Sequence, residues 1–149
     1  MKQVVPLLAA AALVATFSAA VHAQSADRAI KYRQGVLYAM NWHMGVLANM
    51  AKGATPYDKD SAARSAKFVH ELSAMPWDGF SPGSDSGAPT KARPEVWKEK
   101  PKFDKLARDL QVETAKLASA AGTDLAALRQ VIGPTAQACT NCHDDFRAK

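Results

Sequence analysis

The pentapeptide Cys139-Thr140-Asn141-Cys142-His143, close to the carboxyl end, contains the only two cysteines of the chain. Two thiols at this spacing can each add to one vinyl group of a haem, and the histidine that follows them can then bind the iron as an axial ligand. The motif therefore predicts one covalently bound haem c per chain, attached through Cys139 and Cys142, with His143 on the iron.

Other uses of the two thiols fit this sequence less well. A thioredoxin-like redox pair normally follows a strand of a βαβ unit, and no strand is predicted before Cys139. A structural zinc ion needs a fourth ligand, and His22, His43 and His70 are not at the short spacing of zinc modules. A disulfide across two intervening residues of a helix would be strained. Haem is favoured, with metal or redox use as the alternatives.

The first 23 residues are typical of a secretory signal peptide. Lys2 gives a positive start, an apolar and alanine-rich run extends from Val4 to Val21, and Val21-His22-Ala23 is a suitable cleavage site. We therefore expect residues 1–23 to be removed, leaving residues 24–149 as one domain in the periplasm with no membrane insertion. That compartment suits the motif, because haem of this kind is attached outside the bacterial cytoplasm.

The remaining sequence predicts one compact domain without internal repeats. Its only low-complexity stretch is rich in serine, glycine and proline, spans residues 81–89 and is predicted to be a loop. The formal net charge of +5 is small and the lysines are scattered. Neither nucleic acid nor a membrane surface is therefore a predicted partner.

Four segments carry apolar residues at steps of three and four and are predicted to be helices: 26–52, 58–75, 94–122 and 123–146. Lys100-Pro101 should kink the third helix or separate its first turns, and Gly133-Pro134 should bend the fourth. Four helices without strands predict an all-α fold, an antiparallel (up-down) four-helix bundle with the covalently bound haem c between helices near one end.

Four stretches together are similar to one known family. They are the C-terminal Cys-x-x-Cys-His, the run Lys31-Tyr32-Arg33-Gln34, the corner Met75-Pro76-Trp77-x-x-Phe80, and Arg93-Pro94-Glu95-Val96-Trp97. In a four-helix chain they resemble the class II cytochromes c, most closely cytochrome c′, over essentially all of residues 24–149. Class I cytochromes c carry the attachment motif near the amino terminus, so its C-terminal position also favours class II.

The resemblance implies which residue covers the iron opposite His143. It is a first-helix residue one turn beyond an arginine and a glutamine, which selects Leu37, and low-spin relatives have methionine there. Because leucine has no lone pair, we expect a five-coordinate, high-spin iron under an apolar distal lid. Met40 and Met44 lie on the same helix seam, and either thioether could bind the iron instead, although methionine is often only a core residue.

Arg33 lies on the apolar seam, so it must either turn to solvent or meet a buried anion, for which a haem propionate is the candidate. The resemblance favours the propionate, with Gln34 as a second donor and Thr90 as a further contact. It also implies that Arg147, one turn after His143, belongs to the proximal pocket. Spacing alone would equally allow an arginine in solvent at the helix end.

Aromatic and apolar residues complete the prediction. The resemblance implies that Trp77 and Phe80 pack against the haem, although aromatic residues at such positions are also typical of a core. A second apolar stripe indicates a homodimer through the first two helices, and it consists of Tyr32, Val36, Ala39, Trp42 and Val46.

These features predict a haem protein, not an enzyme, that binds nitric oxide and carbon monoxide and can exchange one electron with an unidentified periplasmic redox partner. The lid at Leu37 offers no hydrogen bond to dioxygen. The resemblance implies that nitric oxide can end on the proximal face after displacing the histidine, near Arg147. The alternative is a six-coordinate, low-spin electron shuttle; a peroxidase would want a distal histidine and arginine pair, which the pattern lacks.

Overall fold

A computed structural model describes the backbone of residues 7–149 and the side chains of residues 26–149. Over that range the chain forms five α-helices, α1 (Leu7–Lys52), α2 (Lys59–Ser73), α3 (Glu95–Lys98), α4 (Lys100–Ala120) and α5 (Leu125–Phe146), with a 3₁₀ helix at Pro76–Phe80. Within residues 7–149 there is no strand, and one isolated bridge pairs Ala92 with Arg147. The all-α prediction is confirmed.

The amino-terminal segment is described only in part. Residues 1–6 of the predicted signal peptide lie outside the described residues, as do the side chains of residues 7–25. Cleavage after Ala23 therefore stays a prediction. Among the described residues, no helix carries an apolar run long enough to cross a bilayer.

The four long helices pack in a ring, α1 on α2, α2 on α4, α4 on α5 and α5 on α1. Each contributes a side chain that is almost fully buried in the shared core: Leu47, Val69, Leu117 and Leu128. Burying such side chains is the main force that holds amphipathic helices together. The predicted four-helix bundle is confirmed.

Local sequence signals account for the helix ends. Asp58 accepts a hydrogen bond from the Ser61 N–H at 2.7 Å, and Asp124 accepts one from the Ala127 N–H at 2.8 Å, so both carboxylates cap exposed backbone donors. α1 ends before Gly53, whose φ of +78° lies in the left-handed region that glycine adopts readily.

The two proline signals have different outcomes. α3 ends at Lys98 and α4 begins at Lys100, with Pro101 in its first turn, so the predicted separation of the first turns is confirmed. α5 continues through Pro134 to Phe146, and the bend at Gly133-Pro134 stays a prediction. α2 stops at Ser73, two residues earlier than predicted, and the 3₁₀ helix follows it.

The 3₁₀ helix packs closely against α1 through Gly79. A Cβ at Gly79 would lie 2.7 Å from the Cβ of Arg33 and 2.8 Å from the carbonyl oxygen of Ala29. Only glycine fits at that distance without a backbone shift. The contact fixes the adjacent Phe80, which is 8% exposed, against the part of α1 near Arg33.

Candidate haem site

An open cavity of about 480 Å³ lies between α1, α4 and the carboxyl-terminal half of α5. Its volume falls in the roughly 300–1,000 Å³ range of pockets that hold small molecules and cofactors. All ten residues predicted for the site line it: Arg33, Gln34, Leu37, Trp77, Phe80, Thr90, Cys139, Cys142, His143 and Arg147. The structure thus brings together residues that are up to 114 positions apart in the sequence.

Both cysteines are free and half-buried on the α5 wall of this cavity. Burial raises the pKa of Cys139 and raises the pKa of Cys142 to about 11, so both are neutral thiols at neutral pH. No group of three or more His, Cys, Asp or Glu side chains in the described part of the chain is placed to hold a metal ion. The zinc alternative therefore has no ligand set there.

His143 lies next to Cys142 on the same wall. Desolvation lowers the pKa of His143, the positive charge of Arg147 lowers it further, and Asp144 opposes both. The imidazole is therefore mainly neutral at pH 7, which leaves a nitrogen lone pair for an iron ion. It is the only histidine among the described residues that line the cavity.

Leu37 presents the aliphatic part of the opposite wall, on α1. It packs against the bundle core on one side and the aromatic cluster of Phe80 and Phe103 on the other. Met40 is 6% exposed within the core, and Met44 packs against that core. Neither methionine lines the cavity, so the structure gives no support to a thioether ligand from this helix.

Arg33 is buried, with 2% of its surface exposed, so the solvent alternative is wrong. One terminal nitrogen, Nη1, donates to the Gly79 carbonyl at 2.6 Å and to the Ser84 hydroxyl at 2.9 Å. The other, Nη2, donates to the Thr90 hydroxyl at 3.0 Å. All three acceptors are uncharged and come from the segment that follows α2.

Among the residues with described side chains, no carboxylate forms a salt bridge with the guanidinium of Arg33. Its carbon lies 4.6 Å from the ring centre of Phe80 and 5.6 Å from that of Trp97, so aromatic faces supply part of its stabilisation. Burial lowers the pKa of Arg33, and the more distant Asp85 partly offsets this. A buried cation with neutral partners at a cavity wall favours an anion on the cavity side, and the propionate contact stays a prediction.

Gln34 and Thr90 also hold the loop against α1. Gln34 Nε2 donates to the Pro89 carbonyl at 2.9 Å, and Thr90 Oγ1 accepts from the Ala92 N–H at 3.1 Å as well as from Arg33. Both side chains therefore have protein partners while they line the cavity.

Arg147 lies beside His143 but not on the helix. It is the first residue after α5, with extended backbone angles of −119° and 129°, and its N–H donates to the His143 carbonyl at 3.1 Å. Its side chain is exposed and lines the cavity. Arg147 is thus the C-cap of α5, one turn after His143 as predicted, and its extended backbone leads the chain out of the helix.

This cavity has two thiols and a histidine on one helix, and the chain that forms it matches one family over most of its length. The sequence model of the family described as Cytochrome C′ matches residues 28–147. The chain belongs to the cytochrome c′ family. That membership confirms the resemblance inferred from the four sequence stretches.

Individual members are similar along most of both chains. Cytochrome c′ of Alcaligenes xylosoxydans is 37% identical over 124 residues, which cover 83% of this chain and 95% of that protein. The structure of cytochrome c′ from Rubrivivax gelatinosus has a TM-score of 0.77 and 37% identity, covering 80% of this chain and 94% of that one. The nitric oxide complex of a leucine-to-alanine mutant of the Alcaligenes xylosoxidans protein has a TM-score of 0.76 and 35% identity, covering 83% and 96%.

Cytochromes c′ bind haem c, and the wall residues of this chain fit that group. Cys139 and Cys142 would supply the two thiols for covalent attachment, and neutral His143 would supply the lone pair for the iron. The rest of the wall is mainly aromatic and aliphatic, which suits the apolar face of a macrocycle. The cofactor is therefore one covalently attached haem c per chain.

The sequence did not assign eight further wall residues to the site: Tyr38, Asn41, Lys91, Ala92, Val96, Phe103, Leu110 and Phe146. Phe103 contacts Phe146 edge to face at 5.2 Å and Phe80 at 4.9 Å, so the three rings form a continuous aromatic wall. One signal could have found Phe146, because it follows Cys142 by four residues and so lies on the same face of α5.

Proposed function

We propose that this cytochrome c′ binds nitric oxide and carbon monoxide at a five-coordinate, high-spin iron and also takes part in one-electron transfer. The observation that carries the proposal is Leu37 on the α1 wall of the cavity and His143 on the α5 wall, with no methionine and no second histidine among the described lining residues. When bound, the haem supplies an iron whose remaining coordination position can take a small diatomic ligand.

The residues of the chain then determine which ligand is favoured. Leu37 has no hydrogen-bond donor for a bound oxygen atom, so it disfavours dioxygen relative to ligands that need none. Its bulk must move aside for any ligand, and this sets the rate of entry. The rings of Phe80, Phe103 and Phe146 form the aromatic part of the cavity wall and exclude water there.

On the proximal side, His143 is held neutral and Arg147 places a positive charge beside it. A solved relative from Alcaligenes xylosoxidans, with a leucine replaced by alanine, holds nitric oxide. The shared family and fold support the same ligand class here. Nothing in the wall supplies the distal histidine and arginine pair of a peroxidase, and the proposal is of a binding and electron-transfer protein rather than an enzyme.

The absorption spectrum of the isolated ferric protein tests the spin state. A broad high-spin Soret band without the charge-transfer band of a methionine ligand is expected. A sharp low-spin spectrum would instead favour the six-coordinate electron shuttle. Adding carbon monoxide to the reduced protein should shift the Soret band, because an open position remains on the iron.

We also propose that residues 1–23 are removed during export to the periplasm, where the redox partner also resides. The support is the positive start, the apolar run and the small-residue cleavage site of the amino-terminal sequence. Intact-mass measurement of the protein from the periplasmic fraction should give a chain that starts at Gln24 and carries one haem.

A homodimer through α1 and α2 is the third part of the proposal. These two helices present an exposed apolar face that includes Tyr32 at 45%, Trp42 at 65% and Phe68 at 39% exposure, and Met75, at 46%, lies just after α2. The His43 ring, 4.8 Å from that of Phe68, joins the two helices in this face. Exposed aromatic side chains clustered on adjacent helices are typical of a surface that a partner covers.

A further inference from the structure

Thr90 lies where a chain of hydrogen bonds from α1 reaches the segment before α3. Its Oγ1 atom accepts from Arg33 Nη2 at 3.0 Å and from the Ala92 N–H at 3.1 Å. Arg33 is itself fixed by the Gly79 carbonyl and the Ser84 hydroxyl. One hydroxyl therefore joins a rigid, buried cation to the backbone two residues further on.

That backbone holds the carboxyl-terminal tail of the chain. The Arg93 N–H donates to the Phe146 carbonyl at 2.9 Å, and the Ala148 N–H donates to the Lys91 carbonyl at 2.8 Å. Between these two bonds, Ala92 and Arg147 form the isolated antiparallel bridge. The Arg147 N–H still donates to the His143 carbonyl of α5, so the last turn of the helix and residues 91–93 together fix the path of the tail.

The direction of the Arg147 side chain follows from this pairing. In an antiparallel pair the side chain of each residue points to a side set by the register. Arg147 has extended backbone angles and lines the cavity beside His143. If the tail left residues 91–93, the bond from the Arg147 N–H to the His143 carbonyl would be the one remaining backbone bond described at Arg147, and its side chain would be free to turn away from the wall.

We propose that Thr90 is a positioning residue that holds Arg147 at the proximal wall through residues 91–93. The chain of contacts runs from Arg33 to the Thr90 hydroxyl, then to the Ala92 N–H, and then across the bridge to Arg147. This role rests on the proposed function only where Arg147 acts on a bound gas; the structural part stands without it.

The first test measures amide hydrogen exchange in the haem-loaded protein by mass spectrometry with fragmentation to single residues, so it needs no gas ligand. Thr90→Val keeps the shape but removes the acceptor, so the Arg93 and Ala148 amides should exchange about fivefold faster, as expected for loss of roughly 1 kcal/mol. Thr90→Ser retains the hydroxyl and should restore slow exchange. Thr55→Val makes the same change at an exposed threonine in the turn after α1 and serves as the matched control.

The second test follows nitric oxide binding to the reduced protein by stopped-flow absorption. Loss of the Arg147 charge from the wall should change the rate constant of the absorption change that follows nitric oxide binding. Thr90→Val should change this rate in the same direction as Arg147→Ala, by threefold or more. In the double variant, Thr90→Val should add nothing, because its effect passes through Arg147.

Each result decides the proposal. Faster exchange in Thr90→Val, recovery in Thr90→Ser and no added effect in the double variant support it. Unchanged exchange at Ala148, or an equal kinetic effect of Thr90→Val with and without Arg147, overturns it. Absence of any nitric oxide binding by the unmodified protein would refute the proposed function alone, since the exchange test needs no nitric oxide.

Discussion

Leu37 is the residue at which one side-chain type decides the chemistry of the cavity. Replacing Leu37 with alanine removes bulk from the wall opposite His143 without adding a polar group. Carbon monoxide should therefore associate at least about tenfold faster, a change that needs only ~1.4 kcal/mol off the entry barrier. Flash photolysis of the carbon monoxide complex measures this rate directly.

Met44→Ala is the control for Leu37→Ala. Met44 is a half-buried residue of the same helix that does not line the cavity, so its truncation should leave the association rate within about twofold. Equal rates in Leu37→Ala and the unmodified protein would show that another residue limits entry.

Arg33 should contribute strongly to stability as well as to the site. Its replacement by alanine removes three hydrogen bonds from a buried cation and two aromatic contacts. Desolvation of the buried charge offsets part of what these bonds contribute. The free energy of unfolding should therefore fall by about 3 kcal/mol. Urea unfolding of the haem-loaded protein followed by circular dichroism measures it.

The comparison variant for Arg33 is Arg108→Ala. Arg108 is exposed on α4 and should change the free energy of unfolding by less than about 0.5 kcal/mol. A loss at Arg33 no greater than that at Arg108 would mean that the contacts to residues 79–90 add nothing to stability.

At the scale of single residues, the sequence predicted which residues form the site but not the groups to which they hydrogen-bond within the protein. Cys139, Cys142 and His143 follow from a spacing that the haem itself requires, and every residue selected from the resemblance lines the cavity. The contacts of Arg33 were not predictable. Its acceptors, the Gly79 carbonyl and the Thr90 hydroxyl, are 46 and 57 residues away, and neither residue type indicates a contact with a distant arginine.

Among the elements, the 3₁₀ helix at Pro76–Phe80 is the part most constrained by close packing. Gly79→Ala would place a Cβ 2.8 Å from a backbone oxygen of α1, which cannot rotate away. The 3₁₀ helix should shift and the protein should lose about 1–3 kcal/mol, as in other overpacked sites. Thermal unfolding by calorimetry reports the loss.

Gly45→Ala provides a control with the opposite sign. Gly45 is exposed within α1 and has no atom within 4 Å of an added Cβ. Alanine there should stabilise the helix by about 0.5–1 kcal/mol, because it has less backbone entropy to lose. If both substitutions raised the unfolding temperature, the close approach at Gly79 would not be a real constraint.

The helices were predictable because their ends carry local signals. Asp58, Asp124, Gly53 and Pro101 each act within one turn of their own position, so the sequence places them within a few residues. The 3₁₀ helix and the pairing of residues 91–93 with the tail were not predicted. Both depend on contacts made after the bundle has formed, and short segments carry no periodic pattern.

At the scale of the whole molecule, the exposed face of α1 and α2 is an apolar surface that a single chain leaves uncovered. Trp42, on α1, lies within this face and is 65% exposed. On α4, the exposed large apolar side chain is Val112, at 54%. In a two-fold dimer every substitution is present twice in the interface. Trp42→Asp therefore removes two aromatic anchors and inserts two charges at once.

Trp42→Asp should weaken the proposed dimer about 100-fold or more, since burial of a large side chain contributes roughly 1.5–3 kcal/mol per copy. Sedimentation velocity at several concentrations should then show a monomer where the unmodified protein sediments as a dimer. Val112→Asp introduces the same charge on the far helix and should leave the dimer intact. A dimer that persisted in Trp42→Asp but dissociated in Val112→Asp would place the interface on α4, because charge alone is matched between the two variants.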